Sequence, residues 1–146
     1  MLYIGSDHAG YNLKEEIKDY LGELDYIYED LGNKELDYQD DYVDFAVKVA
    51  EKVSADKNAK GILFCGTGVG VCIAANKFKD VRAALVYDEF SAKSSREDDD
   101  ANILCLGGRT ISPELAQKIV KIWIETDFSG GERHVRRLKK IEEIEN

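Results

Sequence analysis

Short apolar runs alternate along this chain with longer stretches in which apolar residues recur every three or four positions. Leu2–Ser6 reads as a buried strand. After Asp7-His8-Ala9-Gly10, the segment Asn12–Leu21 carries Leu13, Ile17 and Leu21 on one helical stripe. Tyr26–Leu31 is a second strand, and a polar, acidic loop follows over Gly32–Asp41. Tyr42–Val53 is helical, with Phe45, Val49 and Val53 turned inward. Gly61–Cys65 is the clearest buried strand and runs into Gly66-Thr67-Gly68-Val69-Gly70, with a short helix over about Val71–Lys77. Arg82–Tyr87 is a fourth strand, Glu89–Glu97 a helix, and Ala101–Leu106 a fifth strand. Ser112 caps a helix that Pro113 opens and that reaches about Thr126. Beyond Gly130-Gly131, a charged helix runs from about Arg133 to Glu145.

Strands that alternate with helices predict parallel β-α-β units, so the fold class is α/β. The expected architecture is a three-layer sandwich: a five-stranded parallel sheet with helices on both faces. No repeat, linker or low-complexity tract divides residues 1–146, and one domain is expected. Ligands of such sheets bind beyond the carboxyl ends of the strands. Asp7-His8, Cys65–Gly70, Tyr87-Asp88 and Gly107–Arg109 should line that edge.

Charge and cysteine usage narrow the function. A net charge of −9 argues against nucleic acid as a partner, while leaving room for one small anion held by local cations. Cys65, Cys72 and Cys105 form no CxxC pair, and only His8 and His134 could join them, so no metal cluster is expected. The apolar run Leu2–Ile4 is too short for a signal peptide, and no segment is long and apolar enough for a membrane span. These features lead to the expectation of a reduced, cytoplasmic protein.

The strongest chemical signal is Cys65 followed by the glycine-rich loop. Three glycines let the backbone turn N–H groups toward one point, and a helix start adds partial positive charge there. Such a nest suits a phosphate or a developing oxyanion. A cysteine at its rim is favoured as thiolate and can serve as base or nucleophile. The alternative is an ordinary glycine turn beside a buried cysteine. No Gly-Lys-Ser/Thr follows, so this is not a nucleotide-triphosphatase loop. Asp7 and His8 are placed to touch a polyhydroxyl ligand, or Asp7 merely caps the first helix. Arg133 and Arg137 share one helix face and can clamp a phosphate, although neighbouring Arg136, Lys139 and Lys140 equally suit a solvated surface. Tyr42, Asn102 and Arg109 are weaker candidates, and Asp98-Asp99-Asp100 reads as a solvated acidic loop.

Taken in order and spacing, several segments resemble the type B ribose-5-phosphate isomerases, whose wider family includes galactose-6-phosphate isomerase. The carrying pieces are Gly5-Ser6-Asp7-His8-Ala9-Gly10, Cys65–Gly70 with Ile73-Ala74-Ala75-Asn76-Lys77, Arg82-Ala83-Ala84, Ser95-Arg96, Ala101-Asn102-Ile103-Leu104, and Gly130-Gly131 with Arg133-His134. The resemblance spans nearly the whole chain. It implies a Rossmann-like fold, a homodimer that can pair into a tetramer, and a site at the subunit interface. It also implies interconversion of ribose 5-phosphate and ribulose 5-phosphate with neither metal nor organic cofactor. In that reading Cys65 moves the proton, Thr67 and the backbone of Gly66, Gly68, Val69 and Gly70 bind the enediolate oxygens, and Asp7 and His8 contact the sugar and its phosphate end. Arg133 and Arg137 hold the phosphate, Arg109 lines the site, and Tyr42 matches a tyrosine of the family's Asp-Tyr-Pro stretch, with Val43 in place of the proline.

One departure stands out. Where the family has a histidine assigned to opening the furanose ring, this chain has Asp98, and Asp99 replaces an asparagine that contacts substrate. An aspartate is ionised at neutral pH unless burial or another carboxylate raises its pKa. Asp98 is then an acid of raised pKa or a base assisting ring opening. Otherwise the chain takes a different sugar phosphate or relies on spontaneous opening. Alternative functions are a hexose-6-phosphate isomerase and a catalytically weak sugar-phosphate-binding protein. Retention of Cys65 and Thr67 argues against the latter.

Overall fold

The computed structural model describes residues Met1–Asn146. Five strands, β1 (Leu2–Ser6), β2 (Tyr28–Asp30), β3 (Lys60–Cys65), β4 (Ala83–Leu85) and β5 (Ile103–Gly107), form one parallel sheet in the order β2-β1-β3-β5-β4. Helices α1 (Tyr11–Glu23), α4 (Glu89–Glu97) and α5 (Pro113–Glu125) cover one face, and α2 (Tyr42–Ala55) and α3 (Val69–Ala75) the other. This is the expected α/β three-layer arrangement.

Alternation along the strands divides the core. Ile62 and Phe64 of β3, with Leu104 and Leu106 of β5, pack against Leu13, Ile17 and Trp123. The intervening Leu63, Cys65, Ile103 and Cys105 pack against Val49, Val53 and Val71 of the opposite layer. Cys65 therefore projects toward α2 and α3, the side on which the glycine loop turns into α3.

Both edge strands are shorter than the sequence pattern predicts: β2 and β4 have three residues each. Each pairs on one side only, so fewer hydrogen bonds extend it. β5 begins at Ile103 rather than Ala101, and the Asn102 side chain ties the β4 approach. It accepts from Arg82 N–H at 2.7 Å and donates to the Asp80 carbonyl at 2.8 Å. α3 starts two residues earlier than expected, since Gly68 adopts φ +81° and caps it directly. Ser112 caps α5 as anticipated, accepting from Leu115 N–H at 3.2 Å. The last helix, α6 (Glu132–Ile144), buries no residue. No helix is long and apolar enough to cross a membrane.

Sheet order reverses direction between β1 and β3. Loops leaving two such neighbouring strands part to opposite faces and open a crevice at their carboxyl ends. The loops that carry Asp7-His8 and Cys65–Gly70 meet at that point.

Candidate active site

Cys65 is the last residue of β3 and is 5% exposed. Its Sγ accepts the Gly68 N–H at 3.1 Å. The next amide, of Val69, donates to Thr67 Oγ1 at 3.2 Å. Two N–H groups of the expected nest are thus turned inward, one onto the thiol and one onto the threonine. The loop is braced from β5: Gly108 N–H donates to the Cys65 carbonyl at 2.8 Å and Arg109 N–H to the Gly66 carbonyl at 2.9 Å. Tyr87 hydroxyl, beyond β4, donates to the Thr67 carbonyl at 3.1 Å. These bonds fix the loop's path from several elements at once.

The crevice beside the thiol is a cavity of about 580 Å³. Asp7, His8, Tyr42, Cys65, Gly66, Thr67, Val69, Gly70 and Arg109 border it, as do Asp40 and Asp41. Of the residues singled out by sequence, these nine are brought together. Gly68 stands behind them, within the loop. Asp7 is buried and accepts the Gly10 N–H at 3.0 Å, so the carboxylate fastens the turn into α1. The Tyr42 ring lies so close to Gly70 that any β-carbon there would collide with it. The Arg109 Nη1 sits 3.3 Å from where a Gly66 β-carbon would be, laying the guanidinium along the loop.

Asp40 is a site residue that the sequence reading missed. Its carboxylate lies 2.7 Å from His8 Nδ1. Its pairing spans 32 residues, so no local pattern reveals it. The one available signal is an acidic residue close to Tyr42 at the mouth of a helix. Atoms of Asp7, His8 and Asp40 lie within 4.8 Å of one another. Each of the three already takes part in a hydrogen bond, which accounts for their closeness without an ion.

Four predicted residues lie elsewhere in the single chain. Asp98 ends α4, its Oδ1 3.4 Å from His134 Nε2. Asp99 is exposed and borders a separate hollow with Arg82 and Ile141. Arg133 and Arg137 are exposed on α6, and Arg133 Nε donates to His134 Nε2 at 3.3 Å. None of the four borders the Cys65 cavity. Apart from the thiol crevice, Asp98 at the end of α4 and Arg133 at the start of α6 meet at His134.

A parallel sheet whose switch-point crevice holds a thiol, a glycine loop and a histidine defines an α/β enzyme scaffold. The profile of the family described as Ribose/Galactose Isomerase matches residues 2–141. The chain belongs to that family. A crystal structure of ribose-5-phosphate isomerase B from Mycoplasma genitalium with bound ribulose-5-phosphate is 46% identical and superposes with a TM-score of 0.95, covering 99% of this chain and 95% of that one. Ribose-5-phosphate isomerase B of Escherichia coli is 41% identical over 141 residues, 97% of this chain and 93% of the relative. A D-erythrulose-4-phosphate isomerase of Pectobacterium atrosepticum is 40% identical over 133 residues, 88% of this chain and 84% of the relative.

Proposed function

We propose that this chain interconverts ribose 5-phosphate and ribulose 5-phosphate by moving one proton between neighbouring carbons. Cys65, as thiolate, takes the proton from C2 of the open aldose. The electrons form an enediolate, and the thiol returns the proton to C1. Abstraction next to a carbonyl needs a positioned base and donors for the developing oxyanion. The Thr67 hydroxyl and the backbone of Gly66–Gly70 supply those donors, and Asp7 and Arg109 fix the sugar. The observation that carries this reading is the buried Cys65 thiol at the mouth of a crevice walled by the glycine loop.

The phosphate end falls to Arg133 and Arg137 of a second copy, with Asp98 and Asp99 beside them. Support comes from their lying outside the thiol crevice in one chain, and from exposed apolar side chains on α3 and α4. Ile73 and Val69 on α3 are 58% and 41% exposed, and Phe90 at the start of α4 is 82% exposed. Surface of this kind marks an interaction face. A homodimer, able to pair further, would bury it and join these arginines to the thiol crevice. Three free thiols fit a reducing cytoplasm.

Relatives of nearly equal identity are named for a five-carbon and a four-carbon sugar phosphate. The sugar is therefore decided by assay against tetrose, pentose and hexose phosphates. Turnover of ribose 5-phosphate supports this assignment. Turnover confined to a hexose 6-phosphate or a tetrose 4-phosphate reassigns the substrate, and binding without turnover of any favours a sugar-phosphate-binding protein.

A further inference from the structure

The Thr67–Gly68 peptide is seated against the end of β5. A β-carbon on Gly107 would stand 2.7 Å from the Thr67 carbonyl carbon and oxygen, and one on Gly68 would stand 3.1 Å from the Leu106 carbonyl carbon. This peptide is trans, so its N–H and C=O point in opposite directions. The N–H edge faces Cys65 Sγ at 3.1 Å. The carbonyl edge faces the hydroxyl of Tyr87, which follows β4, at 3.1 Å. A carbonyl oxygen only accepts, so the phenol is the donor. No backbone N–H of the chain bonds the Thr67 carbonyl, which leaves Tyr87 as its one partner. Glycine at position 68 tolerates either orientation of this peptide plane, and the reversed one would set the carbonyl oxygen against the sulfur. The Tyr87 bond selects the orientation that aims the N–H at Cys65.

We propose that Tyr87 is a positioning residue for the proton transfer: its hydroxyl holds the Thr67–Gly68 peptide so that the Gly68 N–H stays on Cys65 Sγ and favours the thiolate. The proposal rests on the reading of Cys65 as the base. A thiolate accepts an N–H bond more strongly than a thiol does. A donor on the carbonyl oxygen also polarises the amide, so the N–H on its opposite edge donates more strongly. Tyr87 does not border the Cys65 cavity, so it acts through the loop and not on the sugar. Titratable and charged groups around Cys65 are Asp7, His8, Asp40, Asp41, Tyr42 and Arg109 along the cavity, with Cys72 and Cys105 in the core layer behind it. Exchanging Tyr87 for phenylalanine removes none of them.

The test compares the full-length wild type with Tyr87→Phe, which keeps the ring and loses only the hydroxyl. Iodoacetamide labelling of Cys65 is followed against pH by peptide mass spectrometry, without substrate. Turnover of ribose 5-phosphate is measured over the same pH range. In Tyr87→Phe the Cys65 labelling profile should move to higher pH by about 0.5–1 unit, the size expected for one lost hydrogen bond. Its kcat at neutral pH should fall about 3- to 10-fold with KM little changed, and the loss should close as pH rises, because alkali restores the thiolate. A labelling profile that does not move overturns the proposal. So does a loss of kcat that persists at high pH, which marks a displaced loop rather than a disfavoured thiolate. A wild-type chain that turns over no sugar phosphate contradicts the isomerase reading instead, and the labelling profile still decides the role of Tyr87.

Discussion

The backbone N–H of Gly68 points at the Sγ of Cys65 across 3.1 Å. That contact depends on Gly68 holding φ +81°, and a β-carbon added there would also stand 2.6 Å from Leu85 Cδ1. The Gly68→Ala variant is expected to lose about 1–3 kcal/mol through left-handed strain and overpacking. Its turnover should fall as well, because the loop cannot keep its path. Urea unfolding followed by circular dichroism, beside a steady-state assay, checks both effects.

A buried ion pair ties α1 to the end of β2. Lys14 is fully buried, and its Nζ lies 2.9 Å from both Asp30 carboxylate oxygens. Burial alone would raise the Asp30 pKa, but bonds from Lys14, the Gly32 amide and Lys18 lower it. A depressed carboxyl stabilises the fold above its unfolded pKa and loses that contribution as pH falls through the folded value. Lys14→Met should cost about 3 kcal/mol at neutral pH by leaving a poorly compensated charge. The deficit should shrink below roughly pH 4 as the unfolded and then the folded carboxyl is protonated. Unfolding curves taken across that range read the convergence.

Cys72 should react well before Cys105. It is half-buried on α3, and its pKa is pulled down to about 7 by hydrogen bonding with Cys105, against the opposing effect of burial, with help from the Leu85 amide and Asn76. Burial pushes Cys105 well up. Iodoacetamide labelling of Cys72 should rise through about pH 7 while Cys105 stays unmodified. Peptide mass spectrometry at a series of pH values measures this.

The dimer proposed above makes Ile73, 58% exposed beside the thiol crevice, a sensitive position. Light scattering after size exclusion should give twice the 16.4 kDa chain mass for wild type. Ile73→Asp should shift this toward the chain mass and abolish turnover while circular dichroism stays native. A fully active monomer would contradict the shared site.

Much of the fold was legible because period and burial agree in this chain. β3 is apolar at nearly every position, and α5 has its cap, its proline and its stripe in place. Edge strands were overextended, since local pattern does not reveal how many neighbours a strand has. The thiol loop with Asp7, His8 and Arg109 was readable because each follows a strand end. The Asp40–His8 pair was not, because it joins two loops far apart in sequence. Nor could the sequence show that Asp98, Asp99, Arg133 and Arg137 stay outside the Cys65 cavity of their own chain, a matter of how α4 and α6 leave the sheet.

Cys65 as the proton-transfer base is the central claim. Its most direct test is turnover of ribose 5-phosphate by wild type and by Cys65→Ala, with ligand binding measured in parallel by calorimetry. The account predicts turnover by wild type, and binding without detectable turnover by Cys65→Ala. Near-normal turnover by the variant would contradict it.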